Sequence, residues 1–291
     1  PVLGVVPHID QMGIDDEDSV SLEEKQAAPT EGDIRIAVIQ TPKISNFTDF
    51  DALAHEKDVA LYYVKSVEDL GEPDVIMLPG SKNTTEDMLY LRKSGLGEKI
   101  LAHAKAGKAV IGICGGYQML GEVIRDPQHT ESQNDEAAGL GLLGMETVFA
   151  SEKLTSQVVA QCQDLHFMGQ SISADNLQGY EIHMGHTAFT READKHPFTV
   201  CQRRGKTCAS QEGTANAAGN VFGTYIHGAF DNDVFRRSVL NALRHSKGLE
   251  ALANTRNVMA EKQKAYEHLA DVVENALDME KLYQIMGEKT C

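Results

Sequence analysis

Four short apolar runs, separated by segments of helical period, constrain this chain more than anything else in it. Ile34-Arg35-Ile36-Ala37-Val38-Ile39, Val59 to Val64, Asp74 to Leu78 and Ala109 to Ile113 are rich in Val and Ile and nearly continuous in apolar character. A strand covered on one face alternates, whereas a strand covered on both reads as a continuous run. Between the runs, Thr85 to Lys93 carries Met88, Leu89 and Leu91. Leu96 to Ala106 places Leu96, Ile100, Leu101 and Ala104 on one face, and Gly107 stops it. Strand and helix in alternation require right-handed crossovers, so the expected fold class is α/β with a mainly parallel sheet.

The second half is more mixed. Residues 126–138 are polar and read as a surface loop. Strand-like runs follow around 145–150, 156–160, 177–182, 186–190, 198–202 and 220–226, and they predict an antiparallel extension of the sheet. Asp231 is placed to cap a helix over 232–245. Two helices close the chain, Val258 to Ala276 and Met279 to Met286, the second capped by Asp278 and stopped by Gly287. At the other end, Pro1-Val2-Leu3-Gly4-Val5-Val6-Pro7 is a strand-like run with no sheet of its own to join. The expected organisation is residues 1–14 as the tail of an upstream domain, 15–32 as an acidic linker, 33–247 as the main domain and 248–291 as a helical extension. An N-terminal edge strand and loop is the other reading of the first residues.

Charge and cysteines narrow the function classes. Lys plus Arg is 27 against 43 for Asp plus Glu, a net charge of −16, and no basic run is present. A phosphate backbone needs a cationic surface, so nucleic acid is excluded as the main partner. No apolar run approaches the ~18 residues of a membrane-spanning helix. The five cysteines contain no C-x-x-C pair and read as free thiols, for which a reducing cytoplasm is the expected compartment.

One of those thiols sits in a special context. Gly112-Ile113-Cys114-Gly115-Gly116-Tyr117-Gln118 places Cys114 where a buried strand turns sharply into a helix. This is the nucleophile elbow, in which small neighbours let a strained turn close and the helix N-terminus favours the thiolate. The Gly115 N–H is placed to face a developing oxyanion. Leu78-Pro79-Gly80-Ser81 also follows a parallel strand, and its N–H groups offer a second oxyanion donor. A thiol that forms an acyl intermediate needs a proton shuttle. His227, just past the run Val221 to Ile226 and beside Gly228, is the expected base. His183 and His186 lie in Gly179-Tyr180-Glu181-Ile182-His183-Met184-Gly185-His186, where strand alternation splits Glu181 and His183 from His186. No metal site is expected there.

These motifs carry a resemblance. The elbow paired with a late His resembles the class I, triad-type glutamine amidotransferases. Ile44-Ser45-Asn46-Phe47-Thr48-Asp49-Phe50-Asp51, the LPGSKNT loop, the elbow, GYEIHMGHT, FGTYIHGAFDN and the tail from Tyr266 to Tyr283 together resemble the amidotransferase portion of the cobyric acid synthase family, in the CobB/CobQ-like group. The resemblance implies a flavodoxin-like class I amidotransferase fold. It implies Cys114 as nucleophile, His227 as general base and acid, and Gly80 and Gly115 at the oxyanion. It also implies L-glutamine as substrate and an adenosylated corrin acid as the ultimate acceptor. ATP and Mg²⁺ would be bound by an N-terminal synthetase domain, of which residues 1–14 would be the last strand. No G-x-x-x-x-G-K-[ST] phosphate loop is present in these residues, so no cofactor is expected in them. Triad-type enzymes carry Glu two residues after the His, where this chain has Ala229. Glu181 is the expected orienting group, with Asp231 or a backbone carbonyl as alternatives. A cobyrinic acid a,c-diamide synthase, a cell-wall amidotransferase, a stand-alone Cys hydrolase and a non-catalytic corrin-binding module share parts of the pattern.

Overall fold

The computed structural model describes residues 1–9, 12–14 and 32–287. All but the last residue of the expected linker, 15–32, lies outside these. The chain divides into a large unit, Glu17–Asn254, and a small one made of Pro1–Asp16 with Thr255–Cys291. The first residues and the last helices, expected as separate pieces, therefore share one unit. Gly4 bridges Leu277, and the Asp278 N–H donates to the Leu3 carbonyl at 2.8 Å. No helix among the described residues is long and apolar enough to cross a membrane.

The large unit is built on a sheet of β1 (Ile34–Ile39), β3 (Val59–Val64), β4 (Val75–Leu78), β6 (Ala109–Ile113), β13 (Thr214–Ala215) and β14 (Val221–Thr224). Its order is β13-β14-β6-β4-β1-β3, parallel except for β13 against β14. Counted along the chain, the parallel strands run 2-1-3-4-5, the flavodoxin-like order, and its switch point lies between β1 and β4. Loops at the carboxyl ends of the strands flanking that point are where such sheets place their chemistry. They include β2 (Ile44–Ser45), which follows β1, and β5 (Gly80–Ser81), which follows β4, paired to each other. After β4 come α2 (Thr84–Ser94) and α3 (Leu96–Lys105), and after β6 comes the short α4 (Gly115–Leu120).

Of the runs expected as an antiparallel extension, that at 220–226 is the parallel β14 of the first sheet, which β13 extends antiparallel, and the others form a second, mostly antiparallel sheet. Its path is β12-β11-β9-β7-β8, with β10 also on β9. It contains β7 (Val123–Arg125), β8 (Glu136–Ala138), β9 (Met145–Phe167), β10 (Gln170–Phe189), β11 (Phe198–Arg203) and β12 (Lys206–Glu212). The runs expected around 145–150, 156–160, 177–182 and 186–190 belong to one hairpin of 23- and 20-residue strands. Register shifts at Ile172/Ala174, Ala174/Leu177 and Met184/His186 reset the alternation and make long strands read as fragments.

After the short α1 (Asp51–Ala54) of the β2–β3 connection, the next helix after α4 is α5 (Asp233–Ser246). Its cap is Asn232, whose side chain accepts the Phe235 N–H, while the expected cap Asp231 lies in the 3-10 turn Ala229–Asp231. Fully buried Arg236 donates to Glu56, and Arg237 donates to Glu56 and Asp58. Charges taken out of water persist only when paired, and here they fix α5 to the turn before β3. In the small unit α6 (Val258–Ala276) and α7 (Met279–Met286) match the expected helices.

The elbow packs with no room to spare: a Cβ on Gly116 would lie 2.0 Å from the Leu78 carbonyl oxygen. Gly116→Ala should therefore destabilise the large unit by about 1–3 kcal/mol through overpacking. Denaturant unfolding checks this, and an unchanged midpoint would show that α4 does not approach β4 so closely.

Candidate active site

Cys114 is the residue between β6 and α4, with φ 52° and ψ −109°. A non-glycine residue held in such a conformation is strained, and strain of this kind persists where the surroundings over-determine it. They do so here: the Cys114 N–H donates to the Thr224 carbonyl at 2.9 Å on one side, and Gly116 packs on Leu78 on the other. The Cys114 thiol is buried and lies 3.4 Å from the Ile182 carbonyl of β10, to which it donates.

His227 follows β14 and is completely buried. Its backbone exchanges two hydrogen bonds with Tyr180, of 2.9 and 3.2 Å, and the Tyr180 ring stacks on the imidazole with centroids 4.9 Å apart. Nδ1 is 2.7 Å from Oδ2 of Asp49, whose Oδ1 accepts the Gly228 N–H at 2.8 Å. The carboxylate therefore accepts from Nδ1 and turns Nε2 toward the Cys114 sulfur. Burial pulls the imidazole pKa down, but the Asp49 carboxylate and the Cys114 sulfur beside it outweigh that and raise it to about 10. An imidazole whose pKa is so raised keeps its second proton near neutral pH.

Asp49 corrects the expected orienting group. Glu181 is buried, but its carboxylate takes both bonds of a fork from Arg203, at 2.9 and 3.1 Å. A carboxylate so engaged is not available to the imidazole, and the Nδ1 position belongs to Asp49 rather than to Glu181 or Asp231. Asp49 lies in the 3-10 turn Phe47–Phe50, entered through Asn46 at φ 52°. The signal in the sequence was a carboxylate between two phenylalanines, since a buried Asp needs a partner.

The two glycine loops meet beside this pair. A Cβ on Gly80 would lie 3.3 Å from Cε1 of His227, and one on Gly115 would lie 2.8 Å from the Ser81 nitrogen. Behind the elbow, Gln118 accepts the Thr84 hydroxyl at 3.1 Å and donates to the Met184 carbonyl and to the Tyr225 hydroxyl, both at 3.2 Å. His183 stacks on Tyr225 at 3.9 Å, and burial drops its pKa to about 4. It is neutral near pH 7, has no carboxylate on its ring, and does not compete with His227. Among the described residues no group of three or more His, Cys, Asp or Glu is arranged to hold a metal ion. The arrangement suits acyl transfer: a thiol, an oriented imidazole and the backbone N–H groups of two glycine loops lie together at one edge of the sheet.

Asp49→Asn keeps the shape and removes the charge that keeps His227 protonated. Alkylation of Cys114 by iodoacetamide near neutral pH should slow at least about tenfold, since one pKa unit is a factor of ten. An unchanged rate–pH profile would refute the role of Asp49.

Residues 35–235 match the CobB/CobQ-like glutamine amidotransferase domain. The chain is 45% identical over 287 residues to a cobyric acid synthase of Clostridium tetani, covering 99% of this chain and 55% of that protein. It is 46% identical to one from Clostridium botulinum and 45% to one from Moorella thermoacetica. It thus spans a little over half the length of these relatives. Among solved structures, PurLQS from Thermotoga maritima is 17% identical with a TM-score of 0.50, covering 80% of this chain and 98% of that one, a likeness of fold. With more than half of its length in that domain, this chain belongs to the CobB/CobQ-like glutamine amidotransferase family.

Proposed function

We propose that this chain hydrolyses L-glutamine through a Cys114 thioester and supplies the ammonia to an ATP-dependent amidation. The observation that supports it best is the line Asp49–His227–Cys114, a carboxylate, an imidazole and a thiol brought together from three separate loops. The Cys114 thiolate attacks the side-chain amide carbon. The oxyanion that forms faces the backbone donors at Gly115 and Gly80. His227 gives its proton to the departing nitrogen, ammonia leaves, and a γ-glutamyl thioester remains. Water then attacks the thioester, giving one proton to His227, and the thiolate is expelled as glutamate leaves, its new carboxyl losing a proton to solvent.

The relatives are cobyric acid synthases about twice as long as the aligned region. Carried over to this chain, the acceptor is a corrin acid, adenosylcobyrinic acid a,c-diamide, whose peripheral carboxylates are amidated. In this reading the remaining, N-terminal portion of such a synthase is the partner. It binds ATP and Mg²⁺ and activates the carboxylate. The intact Cys–His–Asp set favours a working glutaminase over a non-catalytic corrin-binding module.

Two measurements test this. A glutamine-derived diazo-ketone should label Cys114 and none of Cys162, Cys201 or Cys208. His227→Ala should lower glutamate release by roughly 10²- to 10⁴-fold, the usual worth of general acid–base catalysis. Labelling elsewhere, or a fully active His227 variant, would overturn the assignment. With ATP, Mg²⁺, glutamine and the corrin acid, this chain alone should release glutamate and form no corrin amide, and adding the synthetase portion should restore amidation. Amide formed by the chain alone would place the ligase site within these residues.

A further inference from the structure

We propose that Glu212 is a positioning residue for this chemistry, holding the turn that carries His227 and, through Thr224, the backbone of Cys114. The inference rests on the glutamine-hydrolysing reading. Glu212 is the last residue of β12, and the strand after it, β13, belongs to the other sheet. It is only 5% exposed, so its carboxylate cannot lean on water and must find donors in the protein. Oε2 accepts the Thr224 hydroxyl at 2.6 Å, and Oε1 accepts the Tyr225 N–H at 2.5 Å.

The backbone past β14 shows what those bonds are for. After Thr224 the chain leaves the ladder, and each N–H that follows takes a partner from outside β6. Tyr225 donates to Glu212, Ile226 to the Thr224 hydroxyl, His227 to the Tyr180 carbonyl and Gly228 to Asp49. Glu212 thus holds the first of these groups and Asp49 the last. The Thr224 hydroxyl, oriented by donating to Glu212, is free to accept from Ile226. The carbonyl of the same Thr224 accepts the Cys114 N–H. A single carboxylate therefore sets the backbone on which both the base and the nucleophile stand, without touching substrate.

The groups facing it are Glu181 of β10, Tyr117 of α4, Cys162 of β9 and Arg203 of β11. Burial, with the Glu181 carboxylate beside it, raises the carboxyl to about 7 against the pull of the Thr224 hydroxyl and the Tyr225 and Gly213 N–H groups.

Glu212→Gln preserves volume and puts an amide NH₂ where one of two acceptors is needed. In the full 291-residue chain, kcat for glutamate release should fall roughly 10- to 100-fold, as a displaced catalytic group does, with KM for glutamine little changed. The wild type should show an inflection of kcat near pH 7 that the variant lacks. Iodoacetamide alkylation of Cys114 should slow as well, a readout that needs no glutamine. Thr224→Val cuts the same link from its other end, so the double variant should lose no more than the worse single variant. Wild-type kcat and pH profile in Glu212→Gln, additive losses in the double variant, or a loss matched by the unfolded fraction would each overturn the role. A wild-type chain that alkylates at Cys114 but releases no glutamate would instead refute the glutamine reading, leaving the alkylation comparison to decide Glu212.

Discussion

The Cys114 site depends on keeping one carboxylate and one imidazole in contact where water cannot separate them. Asp49 and His227 are both nearly inaccessible, and they lie 178 residues apart in sequence at a 2.7 Å contact. Two such groups buried singly would each lose their charge. Together they sustain an imidazolium with a pKa raised to about 10. A group whose pKa is raised on folding adds stability in full below its ordinary value, here about 6.5, and loses it as pH rises through the folded value. The same contact that keeps the imidazole charged therefore also helps to hold two distant loops together, up to mildly alkaline pH.

The switch point of the sheet explains why these groups meet. Asp49 comes from the connection after β1, Gly80 from the one after β4, Cys114 from the end of β6 and His227 from the end of β14. Parallel strands bring all of these to one edge. The second sheet closes the site from the side: β10 presents the Ile182 carbonyl to the thiol and the Tyr180 ring to the imidazole.

The parallel strands and the sharp turn at Cys114 were legible because each is written locally, in a continuous apolar run or in glycines around a Cys. The long hairpin was not, since its bulges at Ala174 and Gly185 shift the phase of alternation partway along each strand. Asp49 was not, because nothing near it in the chain names a partner on the far side of the fold. Glu181 drew attention as a carboxylate among apolar neighbours. That cue is sound for burial, but it says nothing about which cation answers, and Arg203 does. Asp49 and Glu181 look alike in sequence, and only the packing tells them apart.

The turn from Tyr225 to Gly228 borrows its hydrogen bonds from residues 49, 180 and 212, which arrive from three different parts of the fold. Contacts that distant in sequence close late, because the loop entropy must be overcome before they form. His227 therefore takes its working position only once the second sheet has docked and the connection after β1 has settled. A chain only partly folded therefore has the strained turn at Cys114 before it has the Asp49–His227 contact that the turn will face.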